Sequence, residues 1–168
     1  MNFRDLLLDS FARIREAYDD VLDGITDEQL EYRSDADANS IAWLCWHLTR
    51  IQDDHIAGAA GLPQVWTSQG WQERFGLPLP PEDHGYGHGS EQVAVVKASA
   101  ELLAGYHVAV HAQTVTVITA LTEADLERIV DESWDPPVTF GVRLVSVIAD
   151  DLQHTGQAAF VRGLAERS

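Results

Sequence analysis

Residues 39–63 read NSIAWLCWHLTRIQDDHIAGAAGLP and predict one long helix. Ser40 is a residue type that caps helix starts, and Gly61 followed by Pro63 is typical of a helix end. Between them, apolar residues recur every three or four positions, and His47 falls on the side that they define. We therefore expect a helix of about twenty residues whose buried side carries an imidazole.

The same spacing of apolar residues occurs in three other segments. They run from about Asn2 to Leu22, from Ser90 to about Leu121, and from about Phe140 to Leu164. Capping patterns at Thr26 and Thr122 predict two short helical turns between the long helices, and Thr139 can cap the last long helix. Each long segment is long enough to cross a small domain.

One long connection separates the second and third long helices. Residues 64–89 are rich in glycine and proline, and such a loop in a compact domain is usually functional or crosses over the fold. Residues 129–139 read as irregular or short-strand structure. Four long helices with one crossover predict an all-α four-helix bundle, with residues 1–168 as a single domain.

Charge and cysteine content exclude several classes of function. The net charge of −16 repels phosphate groups, so we expect neither a nucleic acid nor an anionic membrane as partner. No apolar run is long enough to span a bilayer, and the first residues show no signal-peptide pattern. Cys45 is the one cysteine and cannot form an intrachain disulfide, which favours a reducing, cytoplasmic location.

Three polar residues fall on sides of helices that should be buried. Asp150 and His154 are four positions apart on the last helix and rise from the same face, and His47 lies on the inward side of the second. A buried carboxylate and a buried imidazole are costly unless something satisfies them, and a divalent metal would satisfy all three. A surface ion pair and a hydrogen-bonded core histidine remain open as alternatives.

Two segments resemble motifs of the DinB-like superfamily of metal-binding bundles. Residues 43–55 (WLCWHLTRIQDDH) resemble the motif of its second helix, and residues 150–157 (DDLQHTGQ) resemble that of its last helix. The resemblance implies a DinB-like four-helix bundle that holds a divalent ion through His47, Asp150 and His154. Many members have histidine where this chain has Asp150, and the isomerase branch has glutamate. Two histidines and a carboxylate suit zinc, with nickel or iron(II) as alternatives.

The resemblance also implies a chemistry. The superfamily includes bacillithiol S-transferases and the metal-binding domain of mycothiol-dependent maleylpyruvate isomerase. It implies that a low-molecular-weight thiol binds the metal, loses its proton and attacks a small electrophile. Ten arginines against one lysine indicate a high-GC source, which favours mycothiol as the thiol. That isomerase has a further C-terminal domain, whereas this chain ends at Ser168, soon after its last helix, which favours a thiol transferase. The alternative is a non-catalytic dimeric bundle that binds a metal or a small ligand.

Other polar residues near the expected site are weaker candidates. Asp54 lies seven residues after His47, so it could orient a ligand or contact substrate, and His55 could form part of the pocket wall. Cys45 points away from His47 and reads as a small buried hydrophobe. The crossover should roof the pocket, with an organic group held by the side chains of Trp66, Trp71 and Tyr86 and a carboxylate held by Arg50 or Arg162.

The remaining histidines are expected outside the site. His107 and His111 are four residues apart on the third helix and read as partly exposed, although this spacing also suits a metal. His84 and His88 lie in the crossover and read as solvated. We also expect a homodimer, because the chain carries more apolar residues on its helix faces than one bundle side needs: Val93, Val96, Leu103, Val110 and Val117.

Overall fold

Nine helices and one short hairpin form the chain in the computed structural model, which describes residues 1–168. The four long helices are α1 (Phe3–Leu22), α3 (Ile41–Ala60), α7 (Ala100–Ala120) and α9 (Phe140–Ala165). The short helices are α2 (Asp27–Glu31), α4 (Val65–Ser68), α5 (Trp71–Phe75), α6 (Ser90–Ala94) and α8 (Glu123–Leu126). Strands β1 (Ile129–Asp131) and β2 (Val138–Thr139) pair antiparallel. The prediction of an all-α four-helix bundle is confirmed.

Side-chain caps fix the starts of the long helices. Asn2, Ser40, Ser99 and Thr139 each accept a hydrogen bond from the backbone N–H three residues later. Each cap satisfies a donor that the first turn would otherwise leave without a partner. The predicted caps at Ser40 and Thr139 are therefore observed. None of the helices combines the length and apolar character that crossing a bilayer requires.

The predicted third long helix is interrupted. Residues 95–99 leave the helix between α6 and α7, and the hydroxyl of Ser99 caps a new helix by accepting the N–H of Leu102. Gly105 lies within α7 and does not interrupt it. A Cβ at Gly105 would lie 2.8 Å from Cη2 of Trp71, so this glycine permits the close approach of the crossover to the bundle.

Helix α3 lies at the centre of the packing. It packs on α9 and α7, α1 packs on the same two helices, and the crossover covers the remaining side of α3. His47 on α3 lies beside His154 on α9, whereas Gly58 lies near Arg143, so the two helices run antiparallel. This arrangement places the polar residues of α3 between α9 and the crossover.

The residues on which the homodimer expectation rested lie in the core. Their exposed fractions are all below 10%, because α7 is covered by α1, α3 and the crossover: Val93, Val96, Leu103, Val110 and Val117. They are therefore unavailable to a partner, and the sequence argument from these five residues was wrong. Four of the eleven large apolar side chains that face solvent lie on α9, which are Val142, Val145, Leu152 and Phe160.

The expectation that His107 is partly exposed is also wrong. Its ring is fully buried and stacks on Tyr18, with 4.0 Å between the ring centroids, and both of its nitrogens lack hydrogen-bond partners. His111 is half-buried. The two rings lie 6.4 Å apart, and no carboxylate completes a metal-binding cluster with them. His107 therefore acts as core, as its neighbours Leu103 and Val110 do, whereas His111 is partly exposed as expected.

Acid is expected to destabilise the fold through His107. Burial lowers the pKa of His107 to about 3, whereas a histidine in the unfolded chain titrates near its ordinary value of 6.5. Between pH 6.5 and 3, His107 therefore binds a proton in the unfolded chain but not in the folded chain. The free energy of unfolding falls as the pH drops through this range. The slope is about 1.4 kcal/mol per pH unit, or about 2 kcal/mol by pH 5.

Urea unfolding of metal-free protein at several pH values measures this slope. His107→Leu should unfold with a smaller dependence on pH below 6.5, while the matched variant His111→Leu should keep most of it. Equal slopes in His107→Leu and in the wild-type chain would contradict the role of this residue.

Candidate metal centre

The structure brings together the three residues that the sequence singled out. One ligand atom from each of His47, Asp150 and His154 can be chosen so that all three lie within 4.8 Å of one another. The two imidazole rings meet edge to face with 4.9 Å between centroids, and His154 Nε2 lies 3.6 Å from Asp150 Oδ1. Helix α3 supplies one group and consecutive turns of α9 supply the other two.

Hydrogen bonds orient both imidazoles. Nδ1 of His47 donates to the backbone carbonyl of His84, and Nδ1 of His154 donates to Oε1 of Gln157 at 2.8 Å. Each ring therefore keeps the lone pair of Nε2 for the cluster. Metal-binding histidines commonly donate their other nitrogen to an oxygen in this way.

The carboxylate of Asp150 fits the same purpose. Its Oδ2 is buried and has no hydrogen-bond partner, and burial raises the pKa of this carboxyl. Zinc ligands bound at about 2.1 Å lie about 3.4 Å apart, so small side-chain rotations would close the cluster around one ion. The donor set of two imidazoles and one carboxylate therefore fits a divalent cation.

Burial also sets the protonation of His47. It lowers the pKa of His47 to about 4, against the effect of the hydrogen bond to the carbonyl of His84, and the imidazoles of His154, His84 and His88 lower it further. The ring is therefore neutral at neutral pH, as a metal ligand must be. For this residue, proton competition with a metal is expected near pH 4 rather than in the ordinary histidine range.

The match with known proteins covers nearly the whole chain. The model of the Mycothiol-S-transferase family matches residues 6–166. The chain belongs to the mycothiol S-transferase family. This is a DinB-like family, so the resemblance seen in the two sequence motifs is confirmed.

A solved structure shares the fold. The crystal structure described as the conserved protein of locus from Enterococcus faecalis is 33% identical and superposes with a TM-score of 0.92. The match covers 100% of this chain and 99% of that one. No curated protein matches the chain.

In this member of the mycothiol S-transferase family, part of the crossover lies directly against His47. We call residues 83–88 the strap. Trp43 stacks on His47 with 4.5 Å between centroids, and its Nε1 donates to Nδ1 of His88 at 3.1 Å. His88 Nε2 in turn donates to Asp83 at 2.9 Å. The side chain of His88 is 3% exposed, so the expectation that it is solvated was wrong, whereas His84 is half-buried with its Nδ1 shielded from solvent.

Gly85 lets the strap approach this closely. Its φ of +93° is unfavourable for other residues, and a Cβ there would lie 2.8 Å from His47 Nδ1. It would also lie 3.0 Å from Trp46 and 3.1 Å from Trp43. The glycine is therefore what allows the carbonyl of His84 to reach the imidazole of His47.

Two buried residues of α3 fasten the crossover to the bundle. Arg50 donates to Gln64 Oε1 at 2.9 Å and to the carbonyl of Asp83 at 3.2 Å. Asp53 accepts the backbone N–H groups of Val65 and Trp66 at 2.8 and 2.7 Å, and the hydroxyl of Tyr106 at 2.8 Å. We call Arg50 and Asp53 the crossover anchor.

This packing shows that the expected aromatic pocket wall and the expected arginines at its mouth were wrong. Arg50 is fully buried rather than at a pocket mouth, and Arg162 donates to backbone carbonyls at the end of α1. Trp66 and Trp71 belong to the crossover, and their side chains pack inward against Tyr106 of α7. They do so because the anchor holds the crossover tightly on α3 and α7. Tyr86 is 86% exposed.

Cys45 and His55 lie as the sequence indicated, and Asp54 lies beside His55. Cys45 is fully buried, and burial raises the pKa of its thiol to about 12, so it is no nucleophile. Asp54 and His55 form a pair at 3.1 Å, and His55 counteracts the effect of burial on the pKa of Asp150. Both therefore lie beside the cluster, where they line a cavity.

The sequence analysis missed the groups that orient the ligands. These are Asp83, the carbonyl of His84, Gly85, His88 and Gln157. Gln157 was recognisable, since it lies one turn after His154 on the same helix. The strap residues carried one signal, since glycine stands at every second position from 85 to 89, with histidine at positions 84 and 88.

Proposed function

We propose that this protein is a metal-dependent S-transferase that joins mycothiol to a small electrophile. The observation that carries the proposal is the cluster of ligand atoms from His47, Asp150 and His154 in a mycothiol S-transferase family fold. Three protein ligands leave positions open on a tetrahedral or larger coordination sphere, as catalytic sites require. Zinc is the preferred ion, with nickel or iron(II) as alternatives.

A bound divalent cation would supply one function here, which is to lower the pKa of a coordinating thiol. The protein's own groups prepare for this. His47 and His154 are held with Nε2 towards the cluster by the carbonyl of His84 and the side chain of Gln157. One carboxylate, Asp150, leaves a site of net positive charge when a divalent cation is present, which favours an anionic thiolate over a neutral thiol.

Consumption of monochlorobimane in the presence of mycothiol tests the proposal. We expect wild-type protein loaded with zinc to catalyse the reaction, and His47→Ala and Asp150→Ala to lose about 100-fold or more in rate. His111→Ala, which lies outside the cluster, is the matched control. Activity that survives both substitutions would contradict the metal–thiolate mechanism. Metal and thiol uptake with no turnover of any electrophile would favour the non-catalytic binding protein instead.

We also infer a homodimer that forms through the outer side of α9. Uncharged small and apolar residues alternate there at three- and four-residue spacing and face solvent: Val142, Val145, Ala149, Leu152, Gly156 and Ala159. Phe160 beside them is 67% exposed. Helices that pack against each other in pairs carry residues of this kind at this spacing. A second copy of the chain would supply the matching helix.

Light scattering tests the dimer. The wild-type chain should have twice the monomer mass, and Val145→Glu should have the monomer mass, because a charge would be buried in the contact. Val145 is 64% exposed in the single chain, so the substitution should leave the fold and the metal content unchanged. A monomer mass for the wild-type chain would contradict the inference.

A buried Cys45 as the one cysteine supports a cytoplasmic location.

A further inference from the structure

A polar cavity lies beside the metal centre and is not used by the chemistry described above. Its volume is about 220 Å³, and it opens between α3, β1 and the first half of α9. Among the residues that line it are Asp54, His55, Gly58, Gln64, Val130 and Arg143. Pockets for whole drug-sized ligands are about 300–1,000 Å³, so this cavity fits one ring or a similar small group.

The cavity lies between the same two helices, α3 and α9, as the metal cluster. Asp54 lies seven residues after His47 on α3, and Arg143 lies seven residues before Asp150 on the antiparallel α9. Seven residues make two helical turns, or about 10 Å. The ring of His84, whose carbonyl orients His47, lies 6.5 Å from the ring of His55 at the near end of the cavity. A molecule bound at the cluster can therefore extend into the cavity.

The chemistry of the lining indicates hydroxyl groups rather than an anionic group. Asp54 accepts from Gln64 Nε2 at 2.7 Å and pairs with His55 at 3.1 Å, and each of its oxygens keeps a further lone pair. Arg143 is already paired with Asp131 at 2.8 Å. A second anion would meet the charge of Asp54, whereas a hydroxyl can donate to the carboxylate and accept from the guanidinium.

We propose that this cavity binds the uncharged, hydroxyl-rich ring of the thiol substrate whose sulfur is directed to the cluster. The proposal rests on the proposed function. Mycothiol carries its cysteinyl thiol on an uncharged sugar–cyclitol unit, so one end of the molecule suits the cluster and the other suits the cavity. The cavity would then select this thiol over a plain cysteine derivative, because only the former fills it.

Gly58 provides a way to close the cavity without disturbing the ligands. It lies in α3 on the cavity wall, and a Cβ built there meets nothing within 4 Å. Gly58→Leu should therefore fill the cavity, and Gly58→Ala is the matched control that adds helix propensity but little volume. We expect Gly58→Leu to raise the KM for mycothiol by about 10-fold or more. Its rate with N-acetylcysteine and its zinc content should stay unchanged.

A second measurement separates this inference from the proposed function. The N-acetylated sugar–cyclitol unit, which lacks the cysteine but stays uncharged, is titrated into metal-free protein, and the amide signals of residue 58 and Val130 are followed by NMR. These signals should shift in the wild-type chain and in Gly58→Ala but not in Gly58→Leu. If the wild-type chain transfers neither thiol, the proposed function fails while this titration still decides the inference. An absence of shifts, or an unchanged KM for mycothiol in Gly58→Leu, would overturn it.

Discussion

Replacing His154 by alanine is expected to remove nearly all bound zinc. Loss of a partner that only orients a ligand costs about 10–100-fold in metal affinity, so loss of a ligand should cost about 100-fold or more. The remaining groups, His47 and Asp150, offer two donor atoms, which is below the three that open metal sites use. Elemental analysis of purified protein gives the stoichiometry, and competition with a chromophoric chelator gives the affinity.

Two further variants make this result specific. Gln157→Ala removes the partner of His154 Nδ1 at 2.8 Å and should weaken zinc binding without abolishing it. His107→Ala removes a core imidazole and should keep full stoichiometry in whatever fraction of the protein stays folded. If His154→Ala keeps its zinc while His107→Ala loses it, the site lies on α7 and the assignment is wrong.

Replacing Asp53 by alanine is expected to be among the most destabilising single changes in the chain. The carboxylate is buried and accepts three hydrogen bonds, and Arg50 beside it is fully buried as well. Its removal leaves two backbone N–H groups and the hydroxyl of Tyr106 without an acceptor, and it leaves Arg50 without the nearby negative charge. Breaking a buried pair in this way costs about 3–5 kcal/mol.

Urea unfolding measures this loss, with an exposed ion pair as the control. Asp9 pairs with Arg13 at 2.7 Å on the surface of α1, and Asp9→Ala should cost less than about 1 kcal/mol. Equal losses for Asp53→Ala and Asp9→Ala would show that the crossover anchor contributes little to stability.

The sequence predicted the long helices well because their ends and buried sides carry local signals. Ser40 and Thr139 cap α3 and α9 where expected, and His47, Asp150 and His154 converge as their spacing indicated. The break at residues 95–99 was missed, although Ser99 is a good cap, because apolar residues continue through it.

The path of the crossover could not be predicted in the same way. Periodicity indicates which side of a helix is buried, but α3 is buried on nearly all sides because residues 64–89 cover the side that the bundle leaves open. The positions of Arg50, His84 and His88 depend on that covering segment. Their burial follows from contacts between residues distant in the chain, which no local pattern encodes.

The bond between His47 and the strap has a consequence for substitutions far from the cluster. A carbonyl can only accept, so the carbonyl of His84 selects the tautomer of His47 that carries its proton on Nδ1. Where the strap loosens, the other tautomer becomes available, and it places a proton on the nitrogen that faces the cluster. Substitution of Arg50, which holds the carbonyl of Asp83, is therefore expected to lower metal affinity by shifting a tautomer equilibrium, with all three ligands still present.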